Sequence, residues 1–333
     1  MCSHQNRPRP WPSIWKLIVA ISEEIELFLR NALREKALED RLIRQALSEL
    51  RTTMAAVERI VAQSGSLALG INRESTISAV VNAVARSVQQ TWGVPILGTL
   101  QEALAPFVEQ QLTFARQMVE AAGGTLTSEG AASLQVRQVV NNAVVNGKTL
   151  ASTLTATLPA QVADRVERYI RLGLSDVAGE VVSTFEDAVV RRVENNVEAI
   201  IRTGVHEVGS AAQMAIYEFE TDPDWLEGAM TWTAVLDSAA CPVCLSLDSK
   251  KYELGTAGPY FDGRNKVSPH PQCRCYLVPA KWREDDMTGP NGEPVAPRRP
   301  AEGDSGEETL SFKRAAKSWV IDNPETARDI FGV

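Results

Sequence analysis

Four of the chain's five cysteines fall within 35 residues, as Cys241-Pro242-Val243-Cys244 and then His270-Pro271-Gln272-Cys273-Arg274-Cys275. Zinc takes four thiolate or imidazole ligands in a tetrahedron, and a two-residue gap lets one tight turn offer two of them. That gap occurs twice, in Cys241/Cys244 and His270/Cys273, with 25 residues between the two strings. The expected metal ligands are Cys241, Cys244 and Cys273, with either His270 or Cys275 completing the set. With four or five protein ligands on offer, a closed structural Zn2+ site is expected, since a catalytic zinc keeps one position open. Reduced or transiently oxidised thiols in a loop-rich module are the alternative. The strand-then-helix setting of a thioredoxin-type Cys-x-x-Cys is missing.

Other reaction chemistries find less support. A zinc deaminase needs His-x-Glu upstream of Pro-Cys-x-x-Cys, whereas here His206 and Glu207 are adjacent and the cysteine string reads Cys-Pro-Val-Cys. His-Glu-x-x-His fails as well, because no second histidine follows His206. Gly147-Lys148-Thr149 looks like the end of a phosphate loop, but Asn142 stands where the first glycine belongs. There is no Gly-x-Ser-x-Gly elbow. Only His4, His206 and His270 are available as imidazoles, and a packed or surface role suits His206. Arg202-Thr203 reads as a salt-bridging or capping helix end. The expectation is that the chain is not an enzyme and has no small-molecule substrate.

The elements that must hold these residues read as helical. Leu38, Leu42, Ala46, Leu50, Met54, Val57 and Val61 recur at three- and four-residue steps, with Arg34, Glu35, Arg41, Arg44 and Glu49 off the stripe. Gly65 and Gly70 close this segment. Further helices are expected at 77–92; at 106–122, with Pro106 in the first turn and Gly123-Gly124 as a stop; at 131–145, stopped by Asn146-Gly147; at 160–172; at 176–201; and at 206–219. After Pro223 glycine, proline, aspartate and serine become frequent. Short strands are expected at 232–236 and 276–278, with all strands after Asp224. The chain therefore divides into an N-terminal arm and long helix (1–66), a helical body (67–223), a Cys/His zinc module (224–283), a Pro/Gly-rich linker (284–309) and a helical tail (310–333). The fold class is mainly α: an elongated helical body with a small zinc-stapled α+β module.

Composition bounds the partners. The 333 residues carry a net charge of −8, with 44% hydrophobic and 23% charged residues. This fits a globular protein and not a general nucleic-acid clamp. The first 60 residues hold ten Lys+Arg against eight acids, a net of +2, which leaves −10 for the remainder. Lys250, Lys251, Arg264, Lys266, Arg274, Lys281 and Arg283 make the Cys/His module mildly basic. The apolar run 14–21 is interrupted by Lys16 and is too short to span a bilayer. It also makes a poor signal peptide, so a cytosolic origin without membrane contact is expected.

The string Trp232, Asp237, Cys241-Pro242-Val243-Cys244, Leu247-Asp248 and Pro269-His270-Pro271-Gln272-Cys273-Arg274-Cys275 resembles the signature of the Mu F-like family of phage minor head proteins. Upstream, Ile200-Ile201-Arg202-Thr203 resembles the family's Arg-Thr-Glu segment. Downstream, Trp319, Asn323-Pro324-Glu325 and Ile330-Phe331-Gly332 resemble the tail that follows the module. The chain departs from the family at Ala239-Ala240, Ser249 and Gly204, none of them a metal-ligand position. The resemblance implies a structural minor capsid protein of the virion, assembled in the host cytoplasm at the portal vertex. It implies a role in head morphogenesis and in genome packaging or ejection, with portal and capsid or scaffold subunits as partners. The alternative is a zinc-module nucleic-acid-binding protein that contacts packaged phage DNA. The long stripe from Ile14 to Val61 must be buried, either by the chain's own body or by those subunits.

Overall fold

The structure, a computed structural model, describes residues 23–65, 72–121, 123–127, 136–145, 147–174, 184–226, 229–233, 247, 250–253, 273 and 275–279. Helix α1 spans Glu23–Gly65. Helix α2 (Arg73–Val88) runs through a π-helical turn at Gln89–Gly93 into α3 (Val94–Ala121). After α4 (Val136–Asn142) come the strands β1 (Val144–Val145) and β2 (Lys148–Thr149). A short α5 (Leu150–Ser152) then leads through a second π turn, Thr153–Thr157, into α6 (Leu158–Leu174). A third π turn, Glu186–Val190, opens α7 (Arg191–Phe219). Helix α8 (Pro223–Leu226) precedes β3 (Ala229–Thr233), β4 (Lys251–Glu253) and β5 (Tyr276–Pro279). The described residues are thus mainly helical, as the apolar period predicts.

The stripe of α1 is buried inside the chain. Leu42, Ala46, Leu50, Met54 and Val57 are at most 1% exposed, and α1 packs against α2, α3 and α7. Each large side chain buried in this way contributes roughly 1.5–3 kcal/mol. Of the two outcomes expected for the stripe, folding back on the body is the one observed for these residues, and docking is not needed to cover it. Residues 1–22 lie outside the described region. At 1.5 Å per residue, a helix of 43 residues is about 65 Å long, so it can serve as the rail along which the other helices align.

The two π turns 89–93 and 153–157 pack on each other. Gly93 makes this crossing feasible, because a Cβ there would lie 2.5 Å from the Leu154 carbonyl oxygen. Beside it Trp92 is fully buried, and its Nε1 donates to the Ala46 carbonyl at 3.0 Å. Past Gly123, which has φ +73, a strap returns to the end of α7. Thr127 N donates to Glu220 O at 2.8 Å, and Asp222 N donates to Thr125 O at 3.0 Å. Arg116 grips the wholly buried Glu220 carboxylate with two hydrogen bonds of 2.7 and 2.9 Å.

Several element boundaries differ from expectation. Pro106 lies inside α3, not at its start. A mid-helix proline costs about 3 kcal/mol. Burial of Ile96, Leu100 and Leu104, each at most 1% exposed, outweighs that cost. Residues 144–149 form a β-hairpin, where a helix running to 145 and strands only after Asp224 were expected. Asn-Gly is a hairpin-turn pair before it is a helix stop, and Gly147 adopts φ +75. The helices expected at 176–201 and 206–219 are continuous from Arg191 to Phe219. This segment is buried on nearly all sides from Thr203 to Tyr217, so Gly204 and Gly209 serve close packing and do not break the helix. The expected strand at 232–236 is observed as Ala229–Thr233, and the one at 276–278 as Tyr276–Pro279. The linker and the helical tail expected at 284–333 lie outside the described residues.

The C-terminal strands form an antiparallel sheet in the order β4-β3-β5. Thr233 pairs with Tyr276 and Trp232 with Leu277, while Met230 pairs with Tyr252 on the other edge. All four β5 residues are buried. Tyr276 and Val278 pack with Phe114 and Met118 of α3, and Leu27 of α1 lies against them.

Candidate functional site

The cysteine string enters the body through β5. Cys273 and Cys275 are 1% and 3% exposed and join the main apolar core with Met230, Trp232, Leu247 and Leu277. Cys241, Cys244 and His270 lie outside the described residues. Among the described residues no group of three or more His, Cys, Asp and Glu side chains is placed to hold a metal. Thiolates at Cys273 and Cys275 are of the type zinc takes, and both residues are held among apolar side chains.

Immediately after the string the chain is fastened to the helical body by buried polar groups. His206 of α7 is 2% exposed. Its Nδ1 lies 2.7 Å from Glu35 Oε1 on α1, and its Nε2 lies 2.8 Å from the Cys275 carbonyl oxygen. Tyr276 donates its hydroxyl to Glu35 Oε2 at 3.2 Å and sets its ring edge-on to the imidazole, with centroids 4.9 Å apart. A neutral imidazole has one donor and one acceptor nitrogen. Here Nε2 donates to the peptide carbonyl, and one shared proton closes the second hydrogen bond between Nδ1 and Glu35 Oε1. Both ring nitrogens are thus engaged inside the protein. Its role is mechanical: three elements and the backbone of Cys275 converge on one ring. This agrees with its expected packed role, and Arg202, also as expected, pairs with Glu198 at 2.7 Å.

Glu39 sits one turn along α1 from Glu35 and is 8% exposed. Burial, reinforced by the neighbouring Glu35 charge, pushes its carboxyl up to about 7, against the opposing pull of Lys36, His206 and Arg202. One turn the other way, Asn31 and Gln111 of α3 exchange side-chain hydrogen bonds of 2.8 and 3.1 Å, and Gln213 of α7 donates to Gln111 at 2.6 Å. All three amides are buried. Asn31, Glu35 and Glu39 recur every four residues, so they form a second, polar buried line on α1 beside the apolar one. A satisfied buried network of this kind fixes the register of the helices it joins.

Sequence reasoning placed Glu35 off the apolar stripe of α1; it is nevertheless buried, because α7 and β5 cover that side. The Asn31/Glu35/Glu39 spacing was the signal that could have found it. What it lacked was a partner, since His206 lies 171 residues away. The departure at Gly204 has a packing reason. A Cβ there would lie 3.1 Å from the methyl carbons of Leu150, so glycine eases the close packing of α7 on that side chain. No family model, no curated protein and no solved structure matches the chain. The likeness to Mu F-like proteins therefore stands on the motif residues between Trp232 and Tyr276.

Proposed function

We propose that this chain is a structural minor head protein of a tailed phage, built in at the portal vertex and acting in head morphogenesis and genome packaging or ejection. Its Cys/His module is stapled by one zinc, held by Cys241, Cys244, Cys273 and either His270 or Cys275. The metal supplies no reaction chemistry: it cross-links a segment too poor in apolar residues to fold unaided. The observation that carries the reading is the anchoring of the string's end. The Cys275 carbonyl and Tyr276 are tied to α1 and α7 through His206 and Glu35, all four buried, with no titratable side chain of this group presented to solvent.

Two measurements test this. Elemental analysis of the full chain purified without added metal is expected to find about one zinc per chain. Metal-free protein with a Cys241–Cys244 disulfide would overturn the staple. Peptide mass spectrometry of purified virions from the encoding phage is expected to find the chain at low copy. Its absence from particles would overturn the head-protein role and leave the zinc result standing.

A further inference from the structure

One face of α1 carries cations that the fold does not use. Arg34, Arg41 and Arg44 line a groove of about 460 Å³ between α1 and α3, opposite Pro106, Phe107 and Gln110. A second hollow of about 350 Å³ continues it past Arg30 and Arg34 towards Phe114. Arg41 and Arg44 are exposed and Arg34 is half-buried. Among the described residues none of these three arginines makes an ion pair. The nearby acids are engaged: Asp40 lies 2.5 Å from the Lys36 ammonium and Glu39 lies 3.8 Å from it. Burial, and then the charge of Arg30, pull the Arg34 guanidinium below its ordinary range. The lining is mixed, with Phe107 and Leu38 buried at its base and polar side chains at its rim.

We propose that this groove is a docking site for a short acidic segment of a partner protein, whose carboxylates pair with Arg34, Arg41 and Arg44. The site is independent of the head-protein reading and of the zinc. Charge complementarity selects the occupant. The planar fork of arginine pairs carboxylates with two parallel hydrogen bonds. The three guanidiniums span ten residues of helix, roughly 15 Å, which suits a segment of one to three turns and not a long polymer. Nucleic acid fits less well. Single strands are held by bases stacked on open aromatic faces, and Phe107 and Phe114 are only 4% and 7% exposed. The net charge of −8 also opposes a polyanion that extends beyond the patch, whereas a short segment stays within it.

The test uses fluorescence anisotropy with the full chain and three labelled probes: a short helical peptide of Glu, Leu and Ala, the same peptide with every Glu replaced by Gln, and a single-stranded DNA oligonucleotide of similar length. The acidic peptide is expected to bind in a salt-sensitive way and the Gln peptide only weakly. The triple variant Arg34→Gln/Arg41→Gln/Arg44→Gln is expected to weaken the acidic peptide about tenfold, the product of three ordinary surface ion pairs. The control Arg59→Gln/Arg73→Gln/Arg86→Gln removes the same charge from exposed positions outside the groove and is expected to bind as the parent does. Equal losses in the two variants would show unspecific charge attraction and overturn the proposal. Tighter binding of the oligonucleotide, lost in the groove variant, would overturn it in favour of nucleic acid, and so would no binding by the parent chain. Circular dichroism melting of both variants checks that the fold is kept; should the groove variant melt early, Arg44→Gln alone, at an exposed position, carries the comparison.

Discussion

Replacing Glu39 by Gln should stabilise the protein at neutral and alkaline pH and change little in mild acid. Glu39 is 8% exposed on the inner side of α1, and its carboxyl is held at about 7 where 4.5 is ordinary. Burial is the larger cause and Glu35 the second. A carboxyl whose folded-state value is raised keeps its proton in the native chain after the unfolded chain has lost it. Between about pH 4.5 and 7 the native state therefore binds more protons, and stability falls as pH rises. The stabilisation is complete below the unfolded value and lost by the folded one. The difference of about 2.5 units, at 1.36 kcal/mol each, comes to roughly 3 kcal/mol at pH 8. Glutamine has the shape of the neutral acid and carries no charge to desolvate, so it should recover most of that amount. Urea unfolding followed at 222 nm, run on parent and variant from acid to alkaline pH, isolates the Glu39 contribution as the difference between two curves. The variant is expected to gain about 3 kcal/mol at pH 8 relative to the parent, with the gain shrinking to near zero by pH 4.5. A difference that stays flat across this range would show that Glu39 is solvated in the folded chain and that the burial argument is wrong.

Substituting His206 by Ala would leave the Glu35 carboxylate with only the Tyr276 hydroxyl among its contacts described above, and would take the Nε2 donor from the Cys275 carbonyl. Leaving a buried hydrogen-bonding group without its partner costs about 1–3 kcal/mol. Hydrogen exchange should localise the loss to β5 and the facing turn of α1, and parent-like protection at Leu277 and Val278 would count against the anchor. Gly93→Ala should destabilise by roughly 1–3 kcal/mol, because the added methyl meets the Leu154 carbonyl at 2.5 Å and the two π turns must part. Thermal melting measures this directly, and a melting temperature unchanged from the parent would mean that the crossing is looser than described.

Local pattern carried the helical architecture. The three- and four-residue recurrence from Leu38 to Val61 names the buried face of α1 without any knowledge of what covers it, because one face of a regular helix is dry whichever partner supplies the dryness. The stop at Gly123 and the strand starting at Tyr276 are local in the same sense, since both follow from the backbone preferences of a few adjacent residues. The cysteine spacing raises the zinc expectation on its own, as ligand spacing within a turn is a short-range property. Contacts between distant residues were not legible. Glu35 and His206 have ordinary neighbours in sequence, and only the convergence of α1, α7 and β5 turns them into a buried hydrogen-bonded pair holding the Cys275 carbonyl. Pro106 and Gly204 mislead for the same reason: local propensity argues for a break, and the burial of Ile96, Leu100, Leu104 and the residues of α7 overrides it. Whether a charge on α1 is a solvated ornament, as at Arg59, a buried anchor, as at Glu35, or an unpaired rim cation, as at Arg41, depends on which helix lies across from it. One-dimensional order does not contain that information, because the energy of a charge is set by the dielectric and the partners that the folded chain brings within a few ångströms of it.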